Sequence, residues 1–167
     1  MIGGRRFHKR RDGTYQLRLS ANERKLLAAL PEQAHPLIET RGPATVRLFP
    51  PAYPGDPAAE AEYRDVVGGE LLHRHQGALD VIAATAASGE LDAEQLEQWM
   101  AGLEVLRLLL GTQLDVSEGA DATSVEPLDE SDRARIAVYR YLGMLQAEVV
   151  EVLEAAVGEH RPGSDHT

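Results

Sequence analysis

The residues best equipped for chemistry in this sequence are two Glu-x-x-His pairs, Glu32-His35 and Glu70-His73. Set on facing helices, with further carboxylates, such pairs hold the metals of di-iron and di-manganese carboxylate bundles, because residues three apart share one helix face. Here the phase is wrong. At about 100° per residue, Glu32 and His35 point away from the stripe of Leu30, Ala34 and Leu37. Glu70 and His73 likewise point away from Val67, Leu71, Ala78 and Ile82. Ligands must face inward to share an ion, so these side chains read as surface residues, and neither a metal nor another cofactor is expected. His73 and His75 are two apart on a helix and cannot chelate one ion together; His75 is expected to border the core. Nucleophile elbows, Walker loops and dinucleotide fingerprints are absent, since Gly3-Gly4 and Gly68-Gly69 lack the flanking strand those motifs require. No catalytic residue is assigned, and an enzyme is the weaker class.

Two other groups could bind. Arg5, Arg6, Lys9, Arg10 and Arg11 could meet nucleic-acid phosphates, or an acidic protein face, from a β-ribbon; Phe7 and Tyr15 offer little platform for stacking bases. The alternative is that these charges solvate the chain's start and guard a sheet edge. The second group is Arg107 and Gln146, polar residues on otherwise apolar stripes. A buried guanidinium needs a partner, which Asp115, Glu104 or a helix-end carbonyl could supply. Their favoured role is to lock helix register, and the alternative is a small ligand or substrate pocket between the last two helices.

The elements that must position these groups are readable from local signals. Residues 5 to 19 form a β-hairpin turning at Asp12-Gly13, with Tyr15, Leu17 and Leu19 on one face. Ser20 and Glu23 make an S-x-x-E capping box, so a helix starts at Ala21 and keeps its apolar period to about Thr40. Pro31 and Pro36 each remove a backbone donor, which predicts a kink or break near Leu30. Val46 to Phe49 reads as a short strand that could join the hairpin. The loop through Pro50, Pro51, Tyr53 and Pro54 ends at Asp56-Pro57, an N-cap followed by a first-turn proline. The helix after it runs to Ser88, with a hinge at Gly68-Gly69 and a stop at Gly89. Asp92 and Gln95 cap a further helix carrying Leu96, Trp99, Met100, Leu103, Leu106 and Leu110, which Gly111 ends. The last helix spans about Ser131 to Val157, with Gly158 as its stop.

The expected architecture is therefore mainly α: a bundle of four to five helices with a small N-terminal antiparallel hairpin or three-stranded sheet. Residues 1–157 make one domain, 117–130 a flexible acidic loop and 158–167 a disordered tail. A chain of 167 residues can bury enough surface to fold without disulfides or metals. Aromatic residues are only 5% of it, which favours packed helices over a β-sandwich. Cys is absent, so thiolate metal sites, cysteine nucleophiles and thiol redox sensing are all excluded. No apolar run approaches the ~20 residues that span a bilayer, and a cytoplasmic protein without membrane contact is expected. The net charge of −10 is uneven: the first 25 residues carry eight basic and two acidic side chains, a net +6, leaving −16 on the remainder. That asymmetry favours an anionic partner at the amino end.

The strings Asp12-Gly13-x-Tyr15 with Glu23-Arg24, and Arg47-Leu48-Phe49-Pro50-Pro51-Ala52-Tyr53-Pro54 with Asp56-Pro57 and Glu62-Tyr63-Arg64, carry a family resemblance. So do Leu106-Arg107-Leu108-x-Leu110-Gly111-Thr112, Leu114-Asp115-Val116, Tyr139 and Leu145-Gln146. Over nearly its whole length the chain resembles the actinobacterial domain of unknown function 2017 family, some of whose members are described as AosR-like, redox-responsive transcription regulators. The resemblance implies a helical protein acting in stress-linked transcription through contact with the transcription machinery, and it brings no catalytic residues. The leading expectation is a non-enzymatic interaction protein that meets a partner through the basic hairpin or the Tyr53 loop. A ligand-binding module or enzyme with a pocket near Arg107 and Gln146 is the alternative, and a homodimer through the long amphipathic helices a third reading.

Overall fold

The computed structural model describes residues 4–114 and 129–159. Four α-helices dominate them: α1 (Ala21–Thr40), α2 (Pro57–Ser88), α3 (Ala93–Gln113) and α4 (Glu130–Glu159). Strands β1 (Phe7–Lys9), β2 (Tyr15–Leu17) and β3 (Glu90–Leu91) form one antiparallel sheet in the order β1-β2-β3. The mainly α architecture with a small N-terminal sheet matches the expectation from sequence. Most of the acidic segment at 117–130, residues 160–167 of the expected tail, and Asp115 lie outside the described residues. Among the described residues no helix is long and apolar enough to cross a membrane.

Local signals account for the element starts. Ser20 and Glu23 close a complete capping box on α1, and Asp92 and Gln95 do the same on α3. Asp56 caps α2 through the Ala59 amide, with Pro57 at the first helical position. Gly89 ends α2 in the left-handed region at φ 73°, and its carbonyl accepts the Leu17 amide at 2.8 Å. The hairpin registers Phe7 opposite Leu17 and Lys9 opposite Tyr15. Its turn differs in detail from a two-residue type I′ turn: Gly13 alone has positive φ, and Arg10 donates to the Thr14 carbonyl across a three-residue loop.

Several expected helix ends and interruptions are not there. α1 is helical throughout, across both Pro31 and Pro36; the Pro31 ring joins Leu27, Ala34 and Ile38 in its buried stripe, while Pro36 is exposed. α2 passes without interruption through Gly68-Gly69, α3 continues two residues past Gly111, and α4 continues past Gly158. At Gly68 and Gly111 the missing Cβ makes room for a neighbour: Arg41 lies over the first, and Tyr139 against the second. The third strand is Glu90–Leu91, paired with β2, and not Val46–Phe49. Pro43–Thr45 instead forms a 3₁₀ turn, closed by the Thr45 hydroxyl on the Gly42 carbonyl at 2.8 Å and by the Leu48 amide on the Thr45 carbonyl at 2.9 Å.

α3 lies at the centre, packed on α2 along one side and on α4 along the other, while α1 packs on α2. Hence Leu96, Trp99, Leu103, Val105, Leu106 and Leu109 are all buried, a wider band than one amphipathic stripe. The tightest approach is at Gly102, where a Cβ would sit 2.5 Å from Ile82 Cδ1 and 3.0 Å from the Ala78 carbonyl oxygen. Gly102→Ala sets a helix-propensity gain of about 1 kcal/mol against an overpacking cost of about 1–3 kcal/mol. Ile82 is fully buried and the second obstacle is backbone, so the cost prevails. Urea denaturation should show net destabilisation; a stabilised variant would refute this packing.

Candidate functional site

The basic hairpin is matched by the chain's own carboxylates. Arg5 Nη2 lies 3.2 Å from Glu151, Arg10 Nη1 lies 2.7 Å from Glu90, and Lys9 pairs with Glu159. Arg11 is exposed at the turn. Arg6 is the most enclosed: its Nε pairs with Glu23, its Nη1 is 3.5 Å from Glu148, and its guanidinium sits 5.7 Å from the centre of the Tyr141 ring. The Arg6 amide donates to Glu148 at 2.9 Å, and the Tyr141 hydroxyl donates to Glu23 at 2.9 Å. One cluster thus joins the residue just before β1, the first turn of α1 and the middle of α4. Burial alone would raise the Glu23 carboxyl; hydrogen bonds from the Ser20 amide, Arg6 and Tyr141 outweigh it and hold the group below the ordinary glutamate range. Burial, reinforced by Glu23, pushes the Tyr141 phenol up. Sequence reasoning placed no function on Glu23 beyond its cap, and none on Tyr141 or Glu148. The spacing of Glu148 and Glu151 on one face of α4 is the signal that could have found the hairpin's counterpart.

Arg107 and Gln146 meet across α3 and α4. Arg107 Nη1 donates to Gln146 Oε1 at 2.5 Å, Gln146 Nε2 donates to Glu104 at 2.8 Å, and Nη2 reaches the Tyr139 hydroxyl at 3.4 Å. The guanidinium lies 4.9 Å from the Tyr139 ring centre, with Gly143 providing the room. Its Nε is buried without a hydrogen-bond partner. Gln146 therefore relays Glu104 to Arg107. That geometry ties the two helices at one register.

The Glu-x-x-His pairs lie apart. Glu32, Glu70 and His73 are exposed, and His35 Nε2 sits 2.9 Å from Asp80. His75 is half-buried: Nε2 donates to the Leu48 carbonyl at 3.3 Å, and the ring meets Phe49 edge-on with centroids 5.5 Å apart. Burial lowers its pKa, so the imidazole is neutral at pH 7.

Phe49 forms part of a surface cleft of about 280 Å³ between the 3₁₀ turn and the first half of α2. Its floor and walls are mostly apolar: Val46, Phe49, Pro50 and Pro51 on one side, Tyr63, Val67 and Leu71 on the other. The Tyr53 loop is stapled at its rim. The Tyr53 amide donates to Glu60 Oε2 at 2.7 Å, and its ring packs edge-on to Tyr63 with centroids 6.1 Å apart. Glu60 also accepts Arg64 Nε at 3.4 Å. Val46 and Tyr53 are among the most exposed large apolar side chains described, at 59% and 51%. At the cleft's end Arg41 terminates α1 in the left-handed region, at φ 47° and ψ 40°. An L-residue other than Gly costs about 1–2 kcal/mol there. Its guanidinium lies 5.0 Å from the Phe49 ring centre and across Gly68, where a Cβ would come within 2.9 Å of Nη1. The sequence marked the Tyr53 loop by its prolines; nothing local marked Arg41, whose position depends on Phe49 and Gly68 arriving from elsewhere.

The fold and this cleft define a mainly α protein with an N-terminal sheet clipped to its last helix and an arginine-bearing apolar groove on the opposite pair of helices. The chain belongs to the DUF2017 family, a domain of unknown function whose family model matches residues 4–153. No curated protein and no solved structure matches it.

Proposed function

We propose that this chain is a non-enzymatic interaction protein of the cytoplasm that holds a protein partner in the cleft beside the Tyr53 loop, and that it acts in transcription, as the family resemblance implies. The observation that carries this reading is the exposure of Val46 and Tyr53 around a groove lined with apolar residues and rimmed by Arg41. Exposed apolar groups gathered at a concave surface are the usual mark of an interaction site. The volume points the same way: small-molecule sites usually measure about 300–1,000 Å³, and this cleft lies at the lower limit, room for one or two side chains. The basic hairpin has less support as a docking point, because Arg5, Arg6, Lys9 and Arg10 already face carboxylates of the same chain, and a phosphate would have to displace them.

A quantitative pull-down from native lysate compares the intact chain with Val46→Asp, which puts a charge at the cleft, and with Arg11→Glu at the hairpin turn. Both positions are exposed, so neither change should disturb folding. The expected result is a set of proteins lost with Val46→Asp and retained with Arg11→Glu. Retention of every partner by Val46→Asp would sink the proposal.

A further inference from the structure

Resting on the reading that a protein partner enters this cleft, we infer which segment it selects: one in which an acidic side chain stands beside a bulky apolar one, with Arg41 receiving the carboxylate and the apolar group entering between Phe49, Val67 and Leu71. Charge complementarity carries the first half. The cleft holds two guanidinium groups and one carboxylate, and that carboxylate, Glu60, is already engaged by Arg64 and by the Tyr53 amide. Among the described residues no carboxylate pairs with Arg41, although the chain has 27 acidic and 17 basic side chains. The Arg41 guanidinium lies 5.0 Å from the Phe49 ring centre, and among the described residues none of its N–H groups is hydrogen-bonded to a carboxylate; arginine can grip a carboxylate with two parallel hydrogen bonds.

The backbone gives independent support. Arg41 occupies a helix-ending position at φ 47°, where glycine is the usual residue, so the strain is retained for the side chain. Gly68 lies beneath the same guanidinium, and any Cβ there would push it aside. Two positions, one bearing a strained arginine and one a buried glycine, thus hold one cation over one groove. The apolar half of the ligand follows from the cleft's walls, which offer rings and branched chains to a side chain next to the bound carboxylate.

The test is selection of a displayed library of random seven-residue peptides on the intact, immobilised chain, followed by titration of the enriched peptides. Enriched peptides should carry Asp or Glu within two positions of Leu, Ile, Met or Phe. Their affinity should fall tenfold or more for Arg41→Gly, while the thermal midpoint of that variant stays level or rises, because glycine relieves the left-handed backbone. Gly68→Ala, whose Cβ meets only the movable end of Arg41, should weaken binding similarly with the fold intact. Enriched peptides without an acidic residue, bound as tightly by Arg41→Gly but lost with Val46→Asp, would overturn the carboxylate inference alone. Peptides that both variants bind undiminished, or a selection that enriches nothing, would overturn the cleft as a docking site as well.

Discussion

Replacing Trp99 with alanine should lower the free energy of unfolding by about 3–5 kcal/mol. Trp99 is fully buried in the first half of α3 and touches two parts of the molecule that local structure cannot join. Its indole meets Phe7 of β1 edge-on, with centroids 5.4 Å apart and planes at 82°. On the other side Nε1 donates to the Thr85 hydroxyl of α2 at 2.7 Å, and that hydroxyl donates to the Val81 carbonyl at 2.6 Å. Removing the ring leaves a cavity that neither the sheet nor the flanking helices can close without shifting. A loss of this size is a large share of the roughly 5–15 kcal/mol that stabilises ordinary domains. Trp99→Phe should cost less, since it keeps an aromatic edge for Phe7 and forfeits mainly the hydrogen bond. The chain has one Trp, so unfolding is best followed by far-ultraviolet circular dichroism. An alanine variant within 1 kcal/mol of the parent, roughly the level of a surface change, would show that the sheet does not depend on α3.

Glu23→Ala is the second large effect, expected at about 2–4 kcal/mol from a lost helix cap together with a broken, largely enclosed ion pair. The Glu23 side chain is 18% exposed and serves three partners from three elements: the Ser20 amide at 2.8 Å, Arg6, and the Tyr141 hydroxyl at 2.9 Å. Alanine removes a partner from all three, leaving Arg6 with Glu148 at 3.5 Å as its remaining carboxylate and with the Tyr141 ring. Glu23→Gln can still accept the Ser20 hydrogen bond and should lose less. Acid distinguishes the charge from the cap. The Glu23 carboxyl is held below the ordinary 4.5, so its ionised form contributes stability in full above that pH. The contribution fades as pH falls through the lower, folded value. The stability difference between the parent and Glu23→Gln should therefore shrink on acidification from neutral pH. A difference that stays constant into strong acid would show that the charge contributes nothing.

The starts of the elements were legible because their signals are short-range. Asp12-Gly13, Ser20 with Glu23, Asp56-Pro57 and Asp92 with Gln95 each satisfy backbone groups within a few residues, so no distant part of the chain was needed to interpret them. Gly68, Gly111 and Gly158 were misread as hinges or stops by the same local logic. A glycine inside a helix weakens it slightly in isolation, but at Gly68 and Gly111 it admits a side chain from another element, and packing then outweighs propensity. Pro31 and Pro36 were expected to kink or break α1 near Leu30; the helix continues across both, and the Pro31 ring is part of its buried stripe. The third strand went to Glu90–Leu91 because only that segment, set by Gly89, comes alongside β2.

The candidate sites were legible in residue type and largely illegible in arrangement. The hairpin's positive charge is evident in the sequence, yet its neutralisation depends on Glu23, on Glu90 and on glutamates of α4 more than 140 residues away, which only the folded chain brings within hydrogen-bonding distance. Arg107 and Gln146 stood out on their stripes, and the structure joins them to each other and to Glu104. Arg41 stood out in nothing. Hydrophobic period and capping chemistry act over one or two helical turns, so the chain by itself determined a cysteine-free, mainly helical protein with a β-hairpin at its start. Which charges cancel, which glycines admit a neighbour and where a groove opens are set by approaches between distant segments, and those were decided by the tertiary structure.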